Sequence, residues 1–364
     1  MPLSFGYGRT IIASHRLLFS SLLRRDPAKL HQHHTPKAEE NPAIRRTANH
    51  PPLLAALDLG TNNCRLLIAE PTPHDGFRVV DSFSRIVRLG EGVGESGRLS
   101  DAAIERTIAA LKICAERIAH HNVHHVLAIA TQAARQADNA DLLIARARDE
   151  TGIALQVISA ETEADLASLG CAPLIGAKYQ GALIFDIGGG STEIVWQHKE
   201  GDKLHKRFAA SLPVGVVTLA EAYGEKAQSR AGFELIRDAM HARFAPLREG
   251  TSGFDLAHEH LLGTSGTVTT LAALALKLPR YIRAKVDGSW HQTSRLLQLV
   301  ERISHLDVPA LASLGAIGPE RADLMLAGSA IFAAVCALWP SPMLRVADRG
   351  LREGMLRQMR GQRL

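Results

Sequence analysis

Several protein classes are excluded by what this chain does not contain. It has no CxxC pair: Cys64, Cys114, Cys171 and Cys336 are scattered. That spacing offers no disulfide framework and reads as four small core residues in a reducing compartment, the cytoplasm. No apolar run reaches the roughly 20 residues that span a bilayer. The longest, Met325–Trp339, reads as a buried helix. The folded body has no basic surplus either. Of 42 Lys+Arg and 37 Asp+Glu, eight and three lie in residues 1–50, leaving 34 of each for the rest. The net charge of +5 therefore belongs to the N-terminal segment, and the pI near 9.1 is no argument for a nucleic-acid surface. Residues 1–50 also lack a secretory core, because Leu17–Leu23 is short, carries two serines and runs into Arg24 and Arg25. They read as a disordered extension or the product of a misplaced start codon, with an organellar transit peptide as the alternative.

What the chain does contain is a loop made to meet an anion. Leu183–Trp196 reads LIFDIGGGSTEIVW. An apolar strand ends at Asp186. Gly188, Gly189 and Gly190 follow, then Ser191, Thr192 and Glu193, and then a second apolar strand. Three consecutive glycines allow positive φ and close approach to a ligand. Their N–H groups and the Ser191 and Thr192 hydroxyls can cradle a phosphate. Asp186 and Glu193 offer hard oxygen ligands for Mg²⁺. A tight hairpin with capping acids is the plain alternative.

The pattern occurs twice. Leu53–Glu70 reads LLAALDLGTNNCRLLIAE, again an apolar strand ending in Asp-x-Gly, a small polar turn and a second strand. Asp58 and Asp186 are 128 positions apart, about one domain length. An internal duplication is expected, with two phosphate loops facing a polyanion across a cleft.

Other stretches support this. The strand Val126–Ala130 runs into a helix opening Thr131-Gln-Ala-Ala-Arg135, a place to hold an anion unless Arg135 is simply a surface residue. Gly263, Thr264, Ser265, Gly266 and Thr267 occupy the corresponding place in the second half and open a helix at Val268. Ser159 caps a helix beginning Ala-Glu161-Thr-Glu163. Taken alone, Glu163 reads as a partner of the helix dipole. His120, His121, His124 and His125 invite a metal reading, but the strand at Val126 ends any shared helix face, and a solvated helix end is expected.

These motifs together resemble the exopolyphosphatase and guanosine pentaphosphate phosphohydrolase family of the acetate-kinase/Hsp70/actin-like superfold. The carriers are Asp58-Leu-Gly-Thr-Asn62-Asn-Cys-Arg65, Val87-Arg88-Leu-Gly90-Glu-Gly92, Thr131–Arg135, Ile158–Glu163, Asp186–Glu193, Gly263–Thr267 and Asp348–Gly354. The resemblance spans about residues 53–358. It implies an α/β fold with two ribonuclease-H-like domains, 51–178 and 179–340, and a cleft between them. A C-terminal helix within 341–364 would return to the first domain. It implies hydrolysis of terminal phosphoanhydride bonds in inorganic polyphosphate or guanosine pentaphosphate, with no nucleic-acid or membrane partner and a homodimer as one candidate assembly.

Glu163 would be the catalytic base. Mg²⁺, or Mn²⁺ in its place, would sit near Asp186 and Glu193 with Asp58 facing them. Asn62, Arg135 and the loops 188–192 and 263–267 would grip the phosphates. This chain departs from the family in having Asn63-Cys64 where Ser-x is frequent, and Asp165 where Arg is frequent. An ATP-dependent kinase of the same superfold, or a non-enzymatic sensor of guanosine penta- or tetraphosphate, are the rival expectations.

Overall fold

The computed structural model describes residues 51–73, 76–201 and 203–361. The extension expected over 1–50 lies outside the described residues. The first sheet contains β1 (Leu54–Leu59), β2 (Asn63–Pro71), β3 (Phe77–Ile86), β4 (His125–Ala130) and β5 (Gln156–Val157). Its order is β3-β2-β1-β4-β5. The first three strands form an antiparallel meander, and β4 and β5 run parallel to β1. The second sheet contains β6 (Gly181–Ile187), β7 (Thr192–Glu200), β8 (Lys203–Leu212), β9 (Glu259–Thr264), β10 (Trp290–Gln292) and β11 (Met343–Val346). Its order is β10-β11-β9-β6-β7-β8. Read from β8 to β11, it repeats the first sheet. The extra strand β10 pairs antiparallel with β11 at the edge.

The duplication holds to the residue. Asp58 pairs with Arg65 across the first hairpin, and Asp186 pairs with Glu193 across the second. Alternation along each strand decides which way these side chains face. In β1, Ala55, Leu57 and Leu59 enter one core and Leu54 and Ala56 another. In β6, Leu183, Phe185 and Ile187 enter one core and Ala182 and Ile184 another. Asp58 and Asp186 each belong to the second row, which is the inner face of each sheet.

Two helices fill the space against those inner faces, Ala160–Cys171 and Leu351–Met359. Ala164 and Cys171 pack with Ile184, Val195 and Leu262 of the second sheet. Met355 and Leu356 pack with Leu54, Ala56 and Leu67 of the first, and Leu166 joins them. The two helices cross backbone to backbone. A Cβ on Gly170 would lie 1.9 Å from the Gly350 carbonyl oxygen, and one on Gly354 would lie 1.8 Å from that of Leu166. Only glycine allows this approach. The most apolar helix, Ala322–Leu338, is buried in the second core, as its sequence indicates. No helix among the described residues is long and apolar enough to cross a membrane.

The crossing carries the inner faces of both sheets, so it should be intolerant of a single methyl. Gly354→Ala is expected to destabilise the protein by about 1–3 kcal/mol, the usual cost of overpacking. Urea unfolding compared with the native chain measures this, and an unchanged midpoint would contradict the crossing.

Candidate active site

The two hairpin loops, both inner-face aspartates and the N-terminal ends of several helices open onto one cleft of about 380 Å³. Asp58, Asn62, Glu163, Asp186 and Glu193 all line it. So do Gly188, Gly189, Gly190 and Ser191 of the second hairpin loop and Thr264, Ser265 and Gly266 at the turn from β9 into its helix. The glycines are needed there for a reason other than the one the sequence suggests. None of Gly188, Gly189 and Gly190 has positive φ. Instead the facing loop comes very close: a Cβ on Gly190 would lie 2.5 Å from the Thr61 hydroxyl oxygen, and one on Gly189 would lie 3.1 Å from the Thr61 Cβ. The left-handed residue is Ser265, with φ 78° at the start of the helix Ser265–Ala275.

Glu163 reaches the cleft because its helix starts at the right point. Ser159 caps it, accepting a hydrogen bond from the Thr162 N–H. Glu163 therefore lies in the first turn, with its side chain only 14% exposed. Burial pushes its carboxyl from 4.5 up to about 7, against the pull of Arg135; Asp58 and Asp186 push it further the same way. Asp186 is raised from 3.8 to about 6 by burial, with Arg65 opposing and Asp58 adding. Burial also raises Asp58, with Arg65 and Arg352 opposing. Glu193 is raised by burial and by Glu163 and Asp186, although Ser211 donates a 2.8 Å hydrogen bond to it. Four carboxylates thus share one poorly hydrated space and disfavour each other's charge.

Four residues named from the sequence do not face the cleft. Arg135 stands behind Glu163: its guanidinium forms a 2.7 Å ion pair with that carboxylate and donates to Gln132 Oε1 and to the Ile158 carbonyl. It holds the carboxylate and is not a lining residue. Thr192 is fully buried and donates to the Val214 carbonyl at 2.7 Å. Gly263 lies against the Phe185 ring and Val268. Thr267 packs on Gly328. Asp165, the departure noted above, pairs with Lys206 at 2.5 Å. The histidine run yields no metal centre: the helix Asp101–His120 ends there, β4 begins at His125, and His121 faces Asp81 at 3.3 Å.

The far wall holds residues that the sequence did not single out. Tyr281 donates a 2.5 Å hydrogen bond to Asp348. Arg283 donates to the Asp348 carbonyl and to Glu353, each at 2.6 Å. Arg349 pairs with Asp287. Asp348 and Glu353 fall inside the Asp348–Gly354 motif, so a signal for them existed. Tyr281 and Arg283 lie in no recognisable pattern and arrive through folding alone.

The donor set suits a hard cation. It is all oxygen, it carries more negative charge than its neighbours offset, and Asn62 Oδ1 and Asn63 Oδ1 are buried without a hydrogen-bond partner. Asp58, Asp186 and Glu193 do not close into one cage. Among the described residues, no three His, Cys, Asp or Glu side chains cluster closely enough to hold a metal on their own.

The raised carboxylates fix the pH dependence of stability. A carboxyl whose pKa is higher folded than unfolded stabilises the fold below its unfolded value and loses that contribution as pH rises through the folded value. For Glu163 the window runs from 4.5 to about 7. The ligand-free protein should lose on the order of 3 kcal/mol across it. Glu163→Gln should make that part of the curve shallower, with Asp58, Asp186 and Glu193 still contributing, as urea unfolding at a series of pH values will show.

Comparison with known proteins agrees with this geometry. The sequence pattern described as the Ppx/GppA phosphatase family matches residues 67–362. Exopolyphosphatase 2 of Mycobacterium tuberculosis is 33% identical over 292 residues, covering 76% of this chain and 88% of that protein. The guanosine-5′-triphosphate,3′-diphosphate pyrophosphatase of Photobacterium profundum is 30% identical over 309 residues, covering 85% of this chain and 59% of that protein. The crystal structure of the Aquifex aeolicus Ppx/GppA family member superposes with a TM-score of 0.70 at 29% identity, covering 85% of this chain and 97% of that one. With its duplicated ribonuclease-H-like topology and its carboxylate-lined cleft, the chain belongs to the Ppx/GppA phosphatase family.

Proposed function

We propose that this chain hydrolyses terminal phosphoanhydride bonds, releasing orthophosphate from inorganic polyphosphate or from guanosine pentaphosphate. The observation that carries this reading is Glu163. It is a nearly buried carboxylate with its pKa raised to about 7, opening onto a cleft bordered by two anion-cradling loops. Its relatives' names, exopolyphosphatase 2 and guanosine-5′-triphosphate,3′-diphosphate pyrophosphatase, point to the same chemistry.

Phosphoryl transfer depends chiefly on positioning and on offsetting charge. Glu163 orients a water and takes its proton, and a base with a pKa near neutrality is well matched to that task. Arg135 keeps the carboxylate aimed and limits how far its pKa climbs. The backbone N–H groups of Gly188–Ser191 and the Ser265–Gly266 turn receive the phosphate oxygens. Mg²⁺ would be held by Asp186 and Glu193 with Asp58 opposite, and bound there it supplies positive charge to the non-bridging oxygens. The absence of a three-carboxylate cage is compatible with this ion, which is usually held by one or two carboxylates together with water and substrate phosphates.

Phosphate release from each substrate, with Mg²⁺ and with chelator, tests the reading. Glu163→Gln should lower kcat by about 10²- to 10⁴-fold while substrate still binds. Near-normal release from that variant would remove Glu163 from the role of base. In the native protein, kcat/KM should rise with pH as Glu163 loses its proton. A profile with no such rise on its acid side would count against it.

A further inference from the structure

The glycine crossing joins the inner faces of the two sheets. A second tie joins their outer layers, and it runs through a loop that does not line the cleft. This loop, Val87–Gly92, follows β3. Val87 and Leu89 are buried in the outer core of the first half. The loop is bonded to the first hairpin turn: the N–H groups of Val87 and Arg88 both donate to the Asn62 carbonyl, at 2.9 and 3.0 Å, and that of Gly90 donates to the Thr61 carbonyl at 2.9 Å. Arg106 holds it from behind, donating to the Val87 and Arg88 carbonyls at 2.9 and 3.3 Å. Arg88 is bent into the left-handed region, with φ 47°. An arginine keeps that conformation only where its surroundings over-determine it.

Two bonds reach from this loop to the other half. Arg88 Nη2 donates to Asp323 Oδ2 at 3.1 Å, and the Gly92 N–H donates to Glu221 Oε1 at 2.9 Å. Asp323 lies in the first turn of the helix Ala322–Leu338, and Glu221 lies in the helix Val216–Tyr223. Both helices bury side chains in the outer core of the second half. The helix with Glu221 grows out of the glycine loop: the Val216 N–H donates to the Gly188 carbonyl at 3.0 Å, and the Val217 N–H to that of Gly189 at 2.8 Å. One run of bonds therefore leads from Thr61 and Asn62, through the loop and Glu221, to Gly188 and Gly189. Charge in the cleft acts against this tie, because Asp58 of the first half and Asp186 of the second repel each other.

We propose that Arg88 and Glu221 are positioning residues: with Asp323 and Gly92 they form a brace behind the cleft that sets the spacing of the two phosphate loops before a ligand arrives. This rests on reading the cleft as a phosphate site. The Arg88 side chain is 45% exposed, and exposed pairs are individually weak. Each contact therefore changes the share of molecules with correctly spaced loops by a modest factor. Apparent affinity falls with that share. The loss belongs in Kd and KM, while kcat of the bound complex is kept.

The full chain is compared with Glu221→Ala, Arg88→Met, their double variant and Glu221→Gln. In calorimetric titration with inorganic tripolyphosphate, each of the first two should bind about two- to fivefold more weakly than the native protein, and the double variant about tenfold. Glu221→Gln should stay within about twofold of native, because its amide oxygen still accepts from the Gly92 N–H. In turnover, KM should rise by the same factors with kcat held within about twofold. X-ray scattering should find the ligand-free double variant expanded relative to the native protein and restored by tripolyphosphate. Native affinity in the double variant overturns the proposal, even if its urea midpoint is lower. If tripolyphosphate does not bind the native chain, the phosphate reading of the cleft fails, and ligand-free scattering alone decides: an unexpanded double variant overturns the brace. Affinities in the stated order without phosphate release from any substrate support the brace and sink only the hydrolysis reading.

Discussion

Everything in this molecule answers to the confinement of like charge. Asp58, Glu163, Asp186 and Glu193 open onto one cleft, and each is buried enough for its charged form to be disfavoured. Two unit charges 4 Å apart repel by about 4 kcal/mol at the effective dielectric of a protein edge. Such a group is tolerated only where the surrounding structure is rigid and partial compensation is built in. Arg65 opposes Asp58 and Asp186, Arg135 opposes Glu163, and Ser211 hydrogen-bonds Glu193. What remains uncompensated is what a cation or a proton can supply, so the instability and the chemistry have one source.

The duplication explains how the charge came to be lopsided. Asp58 and Asp186 occupy the same position in the same topology, yet their hairpin partners are Arg65 and Glu193. The first half offsets its own aspartate. The second half doubles the negative charge at the equivalent point. A cleft between two unmodified copies would be symmetric in charge. This one sets Arg65 opposite Asp58 in the first half and Glu193 opposite Asp186 in the second, so its charge is unequal at equivalent points.

Much of this was legible in the sequence because it is written locally. Apolar runs ending in Asp-x-Gly give β1 and β6, the Ser159 cap gives the helix that carries Glu163, and the spacing of the two aspartates gives the duplication. The misplaced residues follow from applying a motif as a block. Thr192 and Glu193 are consecutive in β7, so alternation sends them to opposite faces, and only Glu193 reaches the cleft. Gly263 and Thr264 in β9 part in the same way. That rule was available from sequence. Tyr281 and Arg283 were not, because they depend on where distant segments land. Arg135 was found for the wrong purpose: its sequence shows a cation near an anion site, but not that a carboxylate of this chain already claims it.

The position of Glu163 shows why the glycine crossing and the charged cleft are one design problem. Its helix lies on the second sheet through Ala164 and Cys171, and Leu166 of the same helix reaches the cluster that contains Leu54, Ala56 and Met355. A carboxylate carried by a helix anchored to both inner faces keeps a fixed distance from Asp58 and from Asp186 at once. Had the helix packed against only one sheet, its carboxylate would follow that sheet, and the mutual effects among the four acids would vary with any movement of the other. The close approach of Gly170 to Gly350 and of Gly354 to Leu166 removes that freedom. The backbone contact therefore holds the Glu163 carboxylate where burial, Arg135, Asp58 and Asp186 act on it together.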